Sequence, residues 1–198
     1  MEDFSPRESL IGEAIIDAIN DDGYLTATLD DIKASIDAEV TFEDIEYSES
    51  GQPYQGTAIV VFGGGAGQNV DVTDSTFADI GRIGVLYFGG DVSGSFDGNT
   101  YTGKGDGDWL DYAVEISAGA NVTVTNNVIS GNAGVAASDG STSAGVLVST
   151  YFGAGSTADF SGNTFDGNTT GVYVGFDDSD TSDVTFGTGN TFTHGAGD

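Results

Sequence analysis

Two groups of aspartates in this sequence have the residue type that calcium sites use. Asp106, Asp108 and Asp111 form the first group, and carboxylate oxygens are the ligands that calcium prefers. The second group is Asp177, Asp178, Asp180 and Asp183. A full calcium site needs six to eight oxygens, and neither spacing matches a complete motif. The alternative is that these aspartates form turns in solvent.

Aromatic residues accompany the first aspartate group and suggest a second kind of ligand. The chain's single tryptophan is Trp109, Tyr112 follows it closely, and Tyr151 lies further along the chain. Exposed rings beside carboxylates suit a carbohydrate, which stacks on the rings and hydrogen-bonds to the polar groups. The alternative for Trp109 is that its ring fills the hydrophobic core, and we favour that interpretation.

A repeated motif indicates what must position these side chains. An apolar residue, a short polar step and a second large apolar residue recur, beginning at Val72, Phe96, Val124, Phe160 and Phe186. Two positions before each closing residue lie Ser75, Asn99, Asn127, Asn163 and Asn190. The openings are 24, 28, 36 and 26 residues apart, a scale typical of a solenoid. Asparagine suits a turn, and stacked asparagines can bond one another as an Asn ladder.

Short β-branched or aromatic runs follow the first four copies and indicate strands. These runs start at Gly84, Tyr112, Gly145 and Gly171, and Thr57–Phe62 is expected to be the first strand of the solenoid. The pattern predicts two short strands in each repeat. It also places Phe77, Tyr101, Ile129 and Phe165 in the core, because only stacked coils can bury such apolar positions. The two longest gaps hold insertions, and the first insertion contains Trp109.

These repeats resemble right-handed parallel β-helix proteins of the pectate-lyase-like superfamily. Asn99-Thr100-Tyr101, Asn163-Thr164-Phe165 and Asn190-Thr191-Phe192 carry the likeness, together with the partner strands. It covers residues 54–198 and predicts a mainly β fold, a right-handed parallel β-helix of about five coils. Its closest likeness is to Gly- and Asp-rich repeats of bacterial secreted or surface proteins.

The resemblance also raises the possibility of polysaccharide lyase or glycosidase activity. The β-helix lyases use an Arg or Lys base with calcium-bound carboxylates, but after residue 50 the only basic side chains are Arg82, Lys104 and His194. A carboxylate pair hydrolyses glycosides at separations of roughly 5 to 10 Å, and nothing in the sequence places such a pair in a cleft. We therefore expect no catalytic residues and no enzyme activity.

Residues 1–47 differ in composition from the rest and are predicted to be helical. All but two of the 32 glycines lie after residue 50. Ser5-Pro6-Arg7-Glu8 is a capping box, and an apolar stripe at helical spacing runs from Leu10 to Ile19. Thr28 and Thr41 are expected to begin two shorter helices. Residues 48–53 are polar with Gly and Pro and are predicted to be a linker.

The helical segment resembles the start of the core-binding region of sigma-54 transcription factors. Phe4–Arg7, Glu13–Thr26 and Leu29–Ile32 carry this likeness over residues 4–47, and in that family the region docks on RNA polymerase. The further core-binding helices, the helix-turn-helix and the promoter-reading box have no counterpart. Three interpretations stay open: a cap for the solenoid, a polymerase-docking module, or a foreign piece joined to the solenoid.

The charge of the chain limits its partners. There are 32 acidic residues against 4 Lys and Arg, a net charge of −28, which argues against direct binding to nucleic acid phosphates or anionic membranes. The chain has no cysteine, and we see no secretory signal or membrane segment. The β-helix part looks extracellular or cell-surface; a functional sigma-54 likeness would imply the cytoplasm.

These observations predict a non-catalytic, acidic β-helix that serves as a scaffold or binding surface, as part of a larger secreted or surface protein. Its partner would be a polysaccharide or another protein. The alternatives are an RNA polymerase core-binding protein whose acidic solenoid imitates DNA, and a lyase or glycosidase.

Overall fold

The structure, a computed structural model, describes residues 40–46, 56–151 and 153–193. The described residues form β-strands joined by turns, and none of their segments is a helix that could cross a membrane. The strands are β1 Val40–Phe42, β2 Thr57–Phe62, β3 Gln68–Thr73, β4 Ser75–Ala78, β5 Ile83–Phe88, β6 Val92–Asp97, β7 Thr100–Thr102, β8 Tyr112–Ser117, β9 Asn121–Thr125, β10 Val128–Ser130, β11 Ala144–Ser149, β12 Thr157–Ser161, β13 Thr164–Asp166, β14 Val172–Val174, β15 Asp183–Phe186 and β16 Thr191–Thr193.

The strands stack into three parallel sheets, as the predicted solenoid requires. Sheet 1 has the order β1-β4-β7-β10-β13-β16, sheet 2 has β14-β11-β8-β5-β2, and sheet 3 has β15-β12-β9-β6-β3. Each coil therefore holds three strands, one in each sheet, and β2 to β16 make five coils. The prediction of two strands per coil was wrong. The repeated motif spans two strands, since Val72 ends β3 and Phe77 lies in β4.

Strand β1 corrects the prediction for the end of the helical segment. A helix was expected to begin at Thr41, but Val40–Phe42 pairs in parallel with Ser75–Phe77 of β4. Ile45 adds an isolated parallel bridge to Ile80. The ring of Phe42 stacks on that of Phe77 at 4.7 Å, so burial against the solenoid outweighs the local helix signal.

The chain divides into two units, residues 1–39 and Val40–Asp198. The first two predicted helices and the predicted linker lie outside the described residues.

Inward side chains form files along the solenoid, and these files are its core. In sheet 1 one file holds the four residues predicted to be buried, and all four are at most 1% exposed: Phe77, Tyr101, Ile129 and Phe165. Matching files come from sheet 2 (Val85, Val114 and Val146) and sheet 3 (Phe96, Val124 and Phe160). Every coil buries its apolar face against its neighbours, so each coil is stabilised by the coils directly next to it.

Asparagines occupy the corner between sheet 3 and sheet 1. The Asn99 amide nitrogen Nδ2 and main-chain N–H both donate to Oδ1 of Asn127, at 3.2 and 2.8 Å. Asn127 donates in the same way to Asn163, and Asn163 to Asn190. Each of the three donor amides also bonds to a main-chain carbonyl of the preceding coil. Buried turn groups are thus satisfied by the next coil.

A second asparagine pair lies at the corner between sheet 1 and sheet 2. Asn132 Nδ2 donates to Asn168 Oδ1 at 2.8 Å. The strand register places Lys104 one coil earlier in this column. The main-chain N–H of Lys104 donates instead to Asp111, and the buried Oδ1 of Asn132 has no hydrogen-bond partner among the described residues. The column of asparagines at this corner is therefore interrupted at Lys104, where the insertion that contains Trp109 begins.

Candidate functional site

A shallow groove with Trp109 at its side runs along the corner between sheet 1 and sheet 2. It has a volume of about 380 Å³. Its lining comes from the turns after β1, after β4 and after β7: Ile45, Glu46, Asp79, Gly81, Lys104, Asp108 and Trp109. Strand β1 and the first two coils therefore contribute to one surface, and stacked strands lie about 4.8 Å apart.

The ring of Trp109 is held in place although it is 36% exposed. Its Nε1–H donates to the carbonyl of Gly105 at 3.1 Å. The ring packs so closely on two glycines that a Cβ at Gly107 or Gly134 would lie 2.2 or 2.3 Å from ring atoms. Only glycine leaves room for the ring at these positions. The interpretation that Trp109 fills the core was wrong, because the inward files already occupy the space.

Lys104 lines the groove, but its ammonium group contacts other groups of the protein. Its Nζ donates to the carbonyl of Gly81 and lies 5.1 Å from the centroid of the Trp109 ring. Burial lowers the pKa of Lys104, and the nearby Asp111 carboxylate opposes that shift. The ammonium group thus already has a carbonyl acceptor and an aromatic neighbour.

A buried carboxylate lies beneath the groove. Asp111 is fully buried; its Oδ1 accepts a hydrogen bond from the Tyr101 hydroxyl at 2.6 Å and its Oδ2 accepts one from the Lys104 N–H at 2.7 Å. Burial raises the pKa of Asp111, and the hydrogen bonds from Tyr101 and Lys104 offset part of that rise. The carboxylate anchors the insertion to the core.

The structure does not bring the first predicted calcium ligands together. Asp106 and Asp108 are exposed, Asp108 accepts a 2.6 Å bond from the N–H of Ala137, and Asp111 points inward. Within the described ranges no group of three or more acidic, His or Cys side chains has an arrangement suited to a metal. Calcium binding by Asp106, Asp108 and Asp111 stays a prediction.

The second aspartate group organises turns. Asp180 Oδ2 accepts bonds from the N–H and hydroxyl of Thr150 and from the N–H of Phe176. Its Oδ1 accepts one from the N–H of Ser182. Burial raises the pKa of Asp180, but the bonds from Thr150 and Ser182 outweigh it and the pKa is lowered. Asp177 likewise accepts bonds from Ser179.

The other two predicted ligand-binding residues do not join Trp109. Tyr112 is buried in a small apolar cluster with Ile83 and Leu86, and its hydroxyl donates to the Thr142 carbonyl. Tyr151 is exposed and contacts Phe176, with ring centroids 4.5 Å apart. Trp109 precedes β8 and Tyr151 follows its neighbour β11, so a strand length of roughly 20 Å separates them. One ligand ring cannot contact both.

Sequence reasoning missed most of the groove. Ile45, Glu46, Asp79 and Gly81 lie 23 or more residues before Lys104 in the chain, and only coil stacking brings them beside it. The Gly-Asn pairs at 131–132 and 167–168 were a detectable signal for this corner, since each pair follows a strand of sheet 1.

Fold and site together define a parallel β-helix with a lateral groove at one corner. Residues 57–198 match the family described as right handed beta helix region, and the chain belongs to this family. Residues 1–49 match the sigma-54 factor core binding domain. Both predicted resemblances are confirmed. A search of curated proteins and a search of solved structures each found no match.

Proposed function

We propose that this protein is a non-catalytic β-helix scaffold that binds carbohydrate in the Trp109 groove. The exposed ring of Trp109, fixed beside a groove that β1 and two coils build, carries the proposal. Carbohydrate sites combine an aromatic platform with polar groups that hydrogen-bond hydroxyls. The carboxylates of Glu46, Asp79 and Asp108 can supply those acceptors.

The groove suits a linear saccharide better than a compact ligand. It is shallow and extends over three neighbouring strands of sheet 1 (β1, β4 and β7), about 10 Å along the solenoid at the usual strand spacing. Stacking on one ring with a few hydrogen bonds gives modest affinity, in the micromolar to millimolar range. We expect a scaffold that retains glycans through weak contacts.

The test is binding of oligosaccharides to the full chain by calorimetry. Trp109→Ala should weaken binding at least tenfold, because it removes the platform. Tyr173→Ala is the matched control, since Tyr173 is also an exposed aromatic ring and lies on sheet 2 outside the groove. Equal effects of the two substitutions, or no binding by the native chain, contradict the proposal.

Absence of catalysis is part of the same proposal. Lys104, the basic side chain that lines the groove, is engaged by Gly81 and Trp109, which disfavours it as a general base. Incubation with acidic and neutral polysaccharides should give neither unsaturated products nor new reducing ends. Product formation would favour the lyase or glycosidase alternative.

Calcium remains a separate proposal for Asp106, Asp108 and Asp111. Melting curves with millimolar calcium and with chelator test it, because a ligand that binds only the folded state raises the melting midpoint. An unchanged midpoint ends this proposal and leaves the carbohydrate proposal untouched.

RNA polymerase core is a second candidate partner, favoured by the sigma-54 core-binding match over residues 1–49. In this alternative the matched region binds the polymerase and the acidic solenoid imitates DNA charge. A pull-down with polymerase core at low salt tests it, with a chain lacking residues 1–39 as control. No retention of the full chain removes this candidate.

A further inference from the structure

The Trp109 groove is lined by more negative than positive side chains, and these side chains differ in whether they already have hydrogen-bond partners. Glu46, Asp79 and Asp108 bring three carboxylates, and Lys104 brings one ammonium group. Glu46 and Asp79 are exposed, and neither has a hydrogen bond or ion pair within the described part of the chain. Asp108 already accepts the Ala137 N–H.

Lys104 does not pair with the carboxylate of Glu46 or of Asp79. Its ammonium group donates to the Gly81 carbonyl and lies against the Trp109 ring, and Asp111 is its nearest buried counter-charge. A ligand in the groove therefore meets two carboxylates that no ion pair among residues 40–46, 56–151 and 153–193 neutralises. A uronate or sulfated sugar would be repelled there, because like charges at short range are unfavourable.

The Trp109 ring limits where a cationic ligand can bind, because the ring already has a cation beside it. An aromatic face attracts cations, and this ring already has an ammonium group 5.1 Å from its centroid. A ligand ammonium is repelled by Lys104, so it must bind further along the groove, where Glu46 and Asp79 attract it. A ring beside carboxylates thus combines stacking with recognition of positive charge.

Resting on the carbohydrate-binding function above, we propose that the Trp109 groove selects amino sugars, saccharides whose rings carry a protonated amine. The sugar ring stacks on Trp109 and the ammonium groups pair with Glu46 and Asp79. Each exposed ion pair contributes little, so the preference over the uncharged N-acetyl form is about three- to tenfold at low salt.

The experiment compares two ligands with the same sugar backbone, one carrying protonated amines and the other uncharged acetamides. Because Trp109 is the sole tryptophan, its fluorescence reports the groove without interference from other sites. The full chain is titrated at a pH of about 5.5, where amines are protonated and carboxylates ionised. The probes are β-1,4-linked hexamers of glucosamine and of N-acetylglucosamine, with oligogalacturonate as the acidic probe.

The paired variant Glu46→Gln with Asp79→Asn should reduce the preference for the glucosamine hexamer to less than about twofold. The affinity for the N-acetyl hexamer should fall less than the affinity for the glucosamine hexamer, because each amide keeps an acceptor oxygen for sugar hydroxyls and loses only the charge. Asp159→Asn is the control, because Asp159 is exposed on sheet 3 and outside the groove. Asp159→Asn removes one negative charge from the net charge of −28 and should leave the preference for the glucosamine hexamer intact. Both variants exchange exposed carboxyl groups for amides of the same shape, and melting curves verify folding.

Equal affinities for the two hexamers overturn the amino-sugar preference and leave the carbohydrate function standing. A preference that survives the paired variant also overturns it, because the overall negative field, rather than the groove, then attracts the amine. If oligogalacturonate binds most tightly of the three probes, the amino-sugar preference is also overturned. Binding of none of the three probes counts against this inference and against carbohydrate binding in the groove.

Discussion

The hydroxyl of Tyr101 donates a 2.6 Å hydrogen bond to Oδ1 of Asp111, and neither side chain is exposed to solvent. Tyr101 belongs to the buried file of sheet 1, whereas Asp111 ends the insertion that carries Trp109. The other carboxylate oxygen accepts the N–H of Lys104. One buried carboxylate therefore ties both ends of the groove-forming insertion to the core.

Tyr101→Phe should lower the free energy of unfolding by about 1 to 3 kcal/mol, because it leaves a buried carboxylate oxygen without its donor. Tyr87→Phe is the matched control. Tyr87 is equally buried, but its hydroxyl donates to the neutral carbonyl of Ser95 at 2.9 Å, so a smaller loss is expected. Urea denaturation measures both. A Tyr87 variant less stable than the Tyr101 variant would contradict this role for Asp111.

Asn127→Ala should destabilise the solenoid by roughly 3 kcal/mol or more. The Asn127 amide accepts two bonds from Asn99 and donates to Asn163 and the Phe96 carbonyl, and each orphaned buried group costs about 1 to 3 kcal/mol. Asn190→Ala is the control, because Asn190 is only half-buried and water can replace part of its lost partners. Unfolding in urea should show the smaller effect at Asn190; equal effects would argue against cumulative stabilisation by the column.

Asp180→Asn should cost roughly 1 kcal/mol near pH 7, because the charge strengthens several hydrogen bonds but the site is partly exposed. Hydrogen bonds lower the pKa of Asp180 in the folded chain. Its stabilisation is therefore present above the unfolded value of about 3.9 and is lost as the pH falls through the lower folded value. The stability difference between the two proteins should narrow below about pH 4. A difference independent of pH would show that the charge of Asp180 is not involved.

Gly134→Ala should displace the Trp109 ring, because the added Cβ would lie 2.3 Å from ring Cδ1 and 2.4 Å from the Trp109 carbonyl oxygen. We expect a red shift of the single tryptophan's emission and at least tenfold weaker saccharide binding. Gly64→Ala is the control, since nothing lies within 4 Å of its Cβ position. An unchanged emission spectrum in the Gly134 variant would mean that the ring is not seated as described.

The repeated motif could predict the solenoid because coil stacking is a nearest-neighbour property. Phe77, Tyr101, Ile129 and Phe165 follow one spacing rule, and each packs on its counterpart in the next coil. A residue spacing that recurs in each coil can be recognised from the amino-acid sequence alone. The positions of Asn99, Asn127 and Asn163 were predictable for the same reason.

Strand β1 shows where local patterns were insufficient. Thr41 and Asp44 have the spacing of a helix start, but Phe42 gains a stacked contact with Phe77 across 35 residues of sequence. Burial of an aromatic ring is worth more than a helix cap. That comparison needs the tertiary contact, which no local pattern contains.

The amino-acid sequence by itself determined that the chain is acidic, repetitive and wound into parallel coils, because those properties follow from composition and period. Only the tertiary structure decided that Trp109 faces a groove and that Glu46, Asp79 and Lys104 join it there. The physical reason is that these side chains lie on turns of different coils. Their proximity arises from stacking at about 4.8 Å per coil and from the buried Asp111 that holds the insertion in place.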